Sequence, residues 1–203
     1  NKYLVNNGYE LRQKGFGAWE LIKYLIPGVP ESETYLDICT QQDKNLVHGF
    51  DAEVPWSIAA KWQHIKRIKD FEVYLPDPEP LLVLKVKAAW DRNYRMEAAG
   101  GDLYLYGKVK KDRFDLLSLL RTCDMRQDVL NEIVIGNGFK DCFIDAISRT
   151  MADRDALEMQ HLQGPALKKL ETKVKKRTTA AYARNLPGVT ITCLRFERRA
   201  ARH

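Results

Sequence analysis

The hydrophobic and polar positions follow different periods in the two parts of the chain. Before Pro76, apolar and polar residues alternate in short stretches that end at turn residues, and this period of two predicts β-strands over residues 8–12 and 71–75. Residues 34–40 are rich in β-branched and aromatic side chains and predict a further strand. Residues 19–25 fit either a strand or a helical turn, and the prolines and glycine at 27–30 end it in either case.

After Pro78 the apolar residues recur at helical spacing. The spacing predicts one helix over residues 79–99, ended by Gly100 and Gly101, and a second over residues 112–122. Weaker helical signals follow over residues 128–134, 139–151 and 166–183. We therefore expect an α/β (α+β) protein with a small mixed β-sheet over residues 1–76, a helical region over 77–165 and a basic tail over 166–203. Residues 185–203 of this tail have no clear place in the core.

The composition excludes a membrane-spanning protein and favours the cytoplasm. The apolar run at 81–84 stops at Lys85, far short of the roughly 20 residues that a membrane crossing needs. The four cysteines lie far apart with no Cys-x-x-Cys spacing, so free thiols in a reducing cytoplasm are the simplest interpretation.

The charge is distributed unevenly along the chain. The formal net charge of the 203 residues is +6, but residues 166–203 hold eleven Lys or Arg against two Glu, a net of +9, so the remainder carries −3. Such a segment can hold the phosphates of RNA by charge attraction that is independent of sequence. The alternative is a solvated and partly disordered end.

Asp37 is the first candidate functional residue, because a carboxylate is unusual inside a predicted strand. Its side chain would lie on the face opposite Leu36 and Ile38. If that face lines a cleft, Asp37 could bind Mg²⁺, which prefers carboxylate oxygens. If it faces solvent, the residue has no special role.

The predicted helices carry a second group of candidates. Lys85 and Arg92 are seven residues apart, which brings them to one face of the first helix as a possible phosphate clamp or as a solvated stripe. Asp112 suits an N-cap of the second helix, and Asp115 would complement its dipole. Capping would account for both aspartates without any function.

The order of these residues matches a known pattern. Residues 76–92, PDPEPLLVLKVKAAWDR, followed by residues 111–117, KDRFDLL, resemble nucleotidyltransferase-fold proteins, most closely the AbiEii-type family of abortive-infection and type IV toxin–antitoxin proteins. In that family a Glu-Leu-Leu stretch leads to Lys-x-x-Ala-x-x-x-Arg, and Lys-Asp-x-x-Asp-Leu opens the next helix. The matching positions here are Glu79, Lys85, Ala88, Arg92, Lys111, Asp112, Asp115 and Leu116.

The resemblance, which is most specific over residues 72–121, implies nucleotidyl transfer. Carboxylates on a small sheet would bind Mg²⁺, and the third of them would be Asp37, a catalytic metal ligand by its order along the chain. The helices would hold an NTP through Lys85, Arg92 and Lys111, with Asp112 and Asp115 orienting the cations. The acceptor would be RNA, aided by the basic segment, or a protein, and an antitoxin protein would be a possible partner.

One part of the family pattern is missing. The signature Gly-Ser or Gly-Gly followed by Asp-x-Asp or Asp-x-Glu does not occur in the chain, which begins with Asn1 rather than Met. We interpret the chain as an N-terminally truncated part of a longer protein and expect it to be inactive by itself. Two other hypotheses stay open: a non-catalytic nucleotide- or RNA-binding module of the same fold, and an unrelated helical domain in which these residues pack and cap.

Overall fold

The computed structural model describes residues 5–13, 19–37 and 44–183, which form two small antiparallel sheets followed by helices. Strands β1 (Glu10–Gln13), β2 (Trp19–Tyr24) and β3 (Glu33–Asp37) form one sheet in the order β1-β2-β3. Strands β4 (Gln63–Ile68) and β5 (Phe71–Pro76) form a hairpin. The expected α/β class, with a helical region after the sheets, is confirmed, and the described strands form two antiparallel sheets where one mixed sheet is expected.

The strand predictions hold where the sequence alternates. Strands at 8–12, 34–40 and 71–75 are confirmed as β1, β3 and β5, although residues 38–40 lie outside the described part. The ambiguous stretch at 19–25 is a strand, paired on both sides. Strand β4 was not predicted, because its QHIKRI sequence lacks the alternation that a half-buried strand shows.

Seven helices follow the first sheet in the described residues, with bounds that agree largely with the periodicity. They are α1 (Ser57–Lys61), α2 (Pro78–Ala98), α3 (Leu103–Thr122), α4 (Gln127–Gly136), α5 (Lys140–Ala152), α6 (Arg154–Met159) and α7 (Gly164–Ala183). The helices predicted at 79–99, 128–134, 139–151 and 166–183 are confirmed. Helices α1 and α6 are too short to show a period and were not predicted. None of the described helices is long and apolar enough to cross a bilayer.

Local signals set both ends of α2. Pro78 begins the helix, where its missing N–H leaves no hydrogen bond unmade. Gly100 (φ 68°) and Gly101 (φ 95°) end it in a conformation that a side chain would strain, and the Gly101 N–H donates to the Met96 carbonyl. The chain then turns directly into α3.

The predicted start of the second helix, at Asp112, is wrong. Helix α3 begins at Leu103, because the Asp102 carboxylate accepts hydrogen bonds from the backbone N–H groups of Tyr104 (2.7 Å) and Leu105 (3.2 Å). Asp102 is thus the N-cap, and Asp112 lies in the middle of α3, where it is buried. The capping explanation for Asp112 and Asp115 is excluded.

Helices α2 and α3 pack antiparallel at the centre of the core. Buried residues from α2, α3, α4, α5 and α6 form it. The same cluster includes Val47, Val54 and Ile58 from the segment before β4, the loop residues Phe139 and Leu162, and Leu170 and Val174 of α7. Among the described residues, the three-stranded sheet contributes none to this core. The α2–α3 pair is therefore the rigid element on which a helical site can be built.

Candidate functional site

The structure brings four of the predicted site residues together along the seam between α2 and α3. Lys85 Nζ of α2 lies 2.7 Å from Asp115 Oδ2 of α3. About two turns further along α2, the Arg92 guanidinium donates to the Asp112 carboxylate of α3. Because the helices run antiparallel, Lys85, the cation nearer the start of α2, pairs with Asp115, the carboxylate nearer the end of α3. The predicted association of these cations with these carboxylates is thus observed as two ion pairs.

The two ion pairs differ in their exposure to solvent. The Asp112 side chain is 3% exposed, whereas its partner Arg92 is 34% exposed. Lys85 and Asp115 are both partly exposed. Each cationic side chain is therefore about a third exposed while a carboxylate of α3 restricts its position.

Lys111 joins the same group more loosely. Its Nζ lies 3.9 Å from Asp115 Oδ2, farther than Lys85, and its side chain is mostly exposed. The spacing of four, three and four residues places Tyr104, Lys108, Lys111 and Asp115 on one face of α3. We call these four residues together with Lys85 the seam face.

An exposed aromatic ring lies at one end of the seam face. Tyr104 is 70% exposed, and Lys108 Nζ lies 5.3 Å from the centroid of its ring. The helical rise of 1.5 Å per residue separates the Cα atoms of Tyr104 and Lys111 by about 10 Å along the axis. The seam face thus combines an aromatic ring with a row of cations.

A separate polar network holds the far side of α3. Arg113 donates to Asp153 Oδ2 at 2.6 Å and to Asn93 Oδ1 at 3.0 Å, which joins α3 to α2 and to the start of α6. Burial raises the pKa of Asp153, but hydrogen bonds from the backbone N–H of Ala156 and from Arg113 outweigh it and hold that pKa below its usual range. This network fixes the helices that carry the seam face.

Glu79, which occupies a motif position, is buried in an ion-pair network. Its Oε1 accepts from the backbone N–H of Arg126 at 2.5 Å, and its Oε2 from the Arg126 guanidinium at 3.1 Å. Arg126 also donates to Asp77 Oδ2 at 2.6 Å, and His64 Nδ1 lies 2.9 Å from Asp77 Oδ1. Glu79 therefore attaches the start of α4 to the first turn of α2 and is not open to a ligand.

The network around Arg126 also changes proton affinities. The pKa of Asp77 is lowered, chiefly by the hydrogen bond from His64 and also by that from Arg126. Together these hydrogen bonds outweigh burial, which raises the pKa. Burial raises the pKa of Glu79, but its hydrogen bonds from Arg126 prevail and lower it. Sequence reasoning missed Arg126, because nothing local marks a contact between residues 47 positions apart.

Asp37, the predicted metal ligand, lies in a different element. It is the last residue of β3, and its backbone is opposite Glu20 of β2. Its side chain lies outside the described part of the structure. The side-chain hydrogen bonds described for this sheet stay within residues 7–34 and do not reach the helices. The assignment of Asp37 stays a prediction.

The described carboxylates do not form the Mg²⁺ site that the resemblance implies. Over residues 5–13, 19–37 and 44–183, with the side chain of Asp37 outside the description, no three His, Cys, Asp or Glu side chains gather as metal ligands. Asp112 and Asp115 accept from Arg92 and Lys85 instead. The seam face carries chemical groups of the type that pair with anions and stack on flat rings.

Comparisons with known proteins assign no family. No protein family, no curated protein and no solved structure matches the chain.

Proposed function

We propose that the protein is a nucleotidyltransferase-like protein that binds an NTP on the seam face and transfers its nucleoside monophosphate to an RNA or protein acceptor. The observation that carries the proposal is that Lys85 of the seam face, and Arg92 seven residues later on the same side of α2, are each held by a carboxylate of α3 while about a third of the side chain is exposed. The resemblance over residues 72–121 supplies the reaction and its dependence on Mg²⁺.

Preorganised lysine side chains favour phosphate binding on the seam face. A lysine that is already restricted loses less side-chain entropy when an anion binds than a freely rotating one. A triphosphate next to Lys85 and Lys111 would form charge-assisted hydrogen bonds and could share Lys85 with Asp115. The 3.9 Å separation of Lys111 from Asp115 leaves that ammonium group available.

Tyr104 completes the proposed nucleotide site. A nucleobase that stacks on its exposed ring would place the attached phosphates along the row of lysines on the same face of α3. Stacking on an aromatic side chain contributes about 1–3 kcal/mol per base. The seam face thus binds and orients the nucleotide, while metal ligation falls to other carboxylates, Asp37 among them.

A non-catalytic nucleotide- or RNA-binding module is the second candidate. Asp112 and Asp115 are both engaged by cations, and this favours a role in positioning cations over one in ligating a metal. On either proposal the net +9 of residues 166–203 would attract an RNA acceptor. Helix α7 covers the first half of that segment, and residues 184–203 lie outside the described part.

A matched pair of lysine variants tests nucleotide binding. Lys85 and Lys110 each make a 2.7 Å ion pair with an aspartate, and their side chains are 33% and 32% exposed, but Lys110 pairs with Asp155 away from the seam face. Lys85→Ala should weaken the affinity for ATP, measured by calorimetry, by about tenfold or more. Lys110→Ala should leave it unchanged. No ATP binding by the parent chain, or equal losses in both variants, would refute the proposal.

A transfer assay separates the enzyme from the module. The protein is incubated with Mg²⁺, NTPs labelled on the α-phosphate and total RNA, and label on RNA or on protein is counted. Label that depends on Lys85 supports the enzyme. ATP binding without transfer supports the binding module.

A further inference from the structure

The β4–β5 hairpin is exposed on both faces. Every residue of β4 is exposed, and four large apolar side chains of the hairpin are 50–70% exposed: Ile65, Ile68, Phe71 and Tyr74. Among the described strands, β4 and β5 pair only with each other. An isolated two-stranded hairpin is marginally stable in water, and unpaired strand edges are templates for further pairing.

The register assigns the apolar residues to two faces. Ile68 is opposite Phe71, and Lys66 is opposite Val73. Since side chains alternate, these four residues share one face with the next opposed pair, His64 and Leu75. The other face carries Ile65 opposite Tyr74 and Arg67 opposite Glu72.

The two edges of the hairpin differ in charge. Strand β4 carries His64, Lys66 and Arg67 and no acidic residue. Strand β5 carries one charge, Glu72, among apolar and aromatic residues. Two β4 edges would bring cations together, whereas two β5 edges would bring apolar side chains together. A second copy of this chain is therefore a suitable partner for β5.

We propose that two copies of the chain associate through antiparallel pairing of their β5 strands about a two-fold axis at Val73. Val73 then faces Val73 of the second copy, Phe71 faces Leu75, and Glu72 faces Tyr74 rather than another carboxylate. The result is a four-stranded sheet in the order β4-β5-β5-β4. One of its faces joins Ile68, Phe71, Val73 and Leu75 of both copies into a continuous apolar surface.

The symmetry of this pairing limits it to a dimer. Both copies use the same edge, so the contact is closed and leaves only the basic β4 edges outside. Lysine and arginine on an outer strand oppose further edge-to-edge association. Pairing of β4 with β5 of the next copy would instead extend without limit.

Sedimentation equilibrium tests the association. The parent chain should have about twice the mass of the 23.4 kDa monomer. Val73→Lys places two like charges at the two-fold axis and should give the monomer, while Ile65→Lys, an apolar-to-lysine change on β4, should leave the dimer intact. Circular dichroism and thermal unfolding check that both variants are folded. A parent chain that stays monomeric at its highest soluble concentration overturns the proposal, as does equal dissociation of both variants.

Cysteine crosslinking tests the register. Directly opposed residues in antiparallel strands have Cα atoms about 4.5–5.5 Å apart, within disulfide range. Val73→Cys should therefore form a covalent dimer under mild oxidation, above the background of the parent chain's own cysteines. Phe71→Cys should not, because its two copies would lie four residues apart along the strands, about 13 Å. Efficient crosslinking of Phe71→Cys and none of Val73→Cys would contradict the register.

Discussion

Removing Arg92 should lower the free energy of unfolding more than removing Asp112, its partner in the ion pair. Asp112 is 3% exposed and Arg92 is 34% exposed. Arg92→Ala leaves a carboxylate inside the α2–α3 seam with neither its cation nor water. Asp112→Ala leaves a guanidinium that can turn to solvent on its flexible stem.

The expected free energies follow from this asymmetry. Removing one partner of a fully buried pair costs about 3–5 kcal/mol, and an exposed pair contributes about 0.2–1 kcal/mol. We place Arg92→Ala at about 3 kcal/mol and Asp112→Ala at about 1 kcal/mol, between these limits. The double variant should cost less than the sum, because no buried carboxylate remains.

Urea unfolding of the four proteins, followed by circular dichroism, measures these values. For a chain of this size, 3 kcal/mol corresponds to a fall in Tm of about 6–12 °C. Glu132→Ala is the control, because it breaks an ion pair with Lys61 in which both side chains are mostly exposed, and it should cost less than about 1 kcal/mol.

Equal losses for Arg92→Ala and Asp112→Ala, each no larger than that of Glu132→Ala, would refute the claim that burial of Asp112 decides the energetics. An additive double variant would show that the two side chains are not coupled.

Three further predictions concern other parts of the fold. The lowered carboxyl pKa values of Asp77 and Glu79 add stability above their unfolded values of 3.8 and 4.5, and this is lost as the pH falls through the lower folded values. Arg126→Ala should therefore flatten the decline in unfolding free energy below about pH 4.5, as measured by acid titration of urea curves; an unchanged slope would contradict it. Asp102→Ala should remove about 1 kcal/mol of stability as a lost N-cap, and no loss would argue against the observed start of α3. Tyr104→Ala should weaken ATP binding by about fivefold or more without affecting tripolyphosphate, since only ATP carries a base; an equal effect on both ligands would exclude stacking.

Local sequence signals predicted α2, the helix that carries Lys85 and Arg92. Pro78 and the Gly100–Gly101 pair define α2 because each acts on the backbone at its own position. The seven-residue spacing of Lys85 and Arg92 places them on one side of α2, since helical periodicity is a property of the helix itself. The resemblance to nucleotidyltransferases stays a hypothesis.

Local reasoning failed where competing signals or distant contacts decided the outcome. Asp112 resembled an N-cap, but Asp102 follows the glycine turn directly and caps α3 first. The short, exposed β4 has no apolar period and forms through its pairing with β5. The position of Asp37 relative to the seam face stays untested, because its side chain lies outside the described residues.

The sequence by itself determined the class of the protein, the position of α2 and the shared face of Lys85 and Arg92. These properties depend on interactions within a few residues of each position. Only the tertiary structure decided the ion-pair partners. Arg92 pairs with Asp112 and Lys85 with Asp115. Glu79 pairs with Arg126 and is therefore not open to a ligand. Such contacts depend on how the helices are packed against each other, which is set by the whole core and not by any single segment.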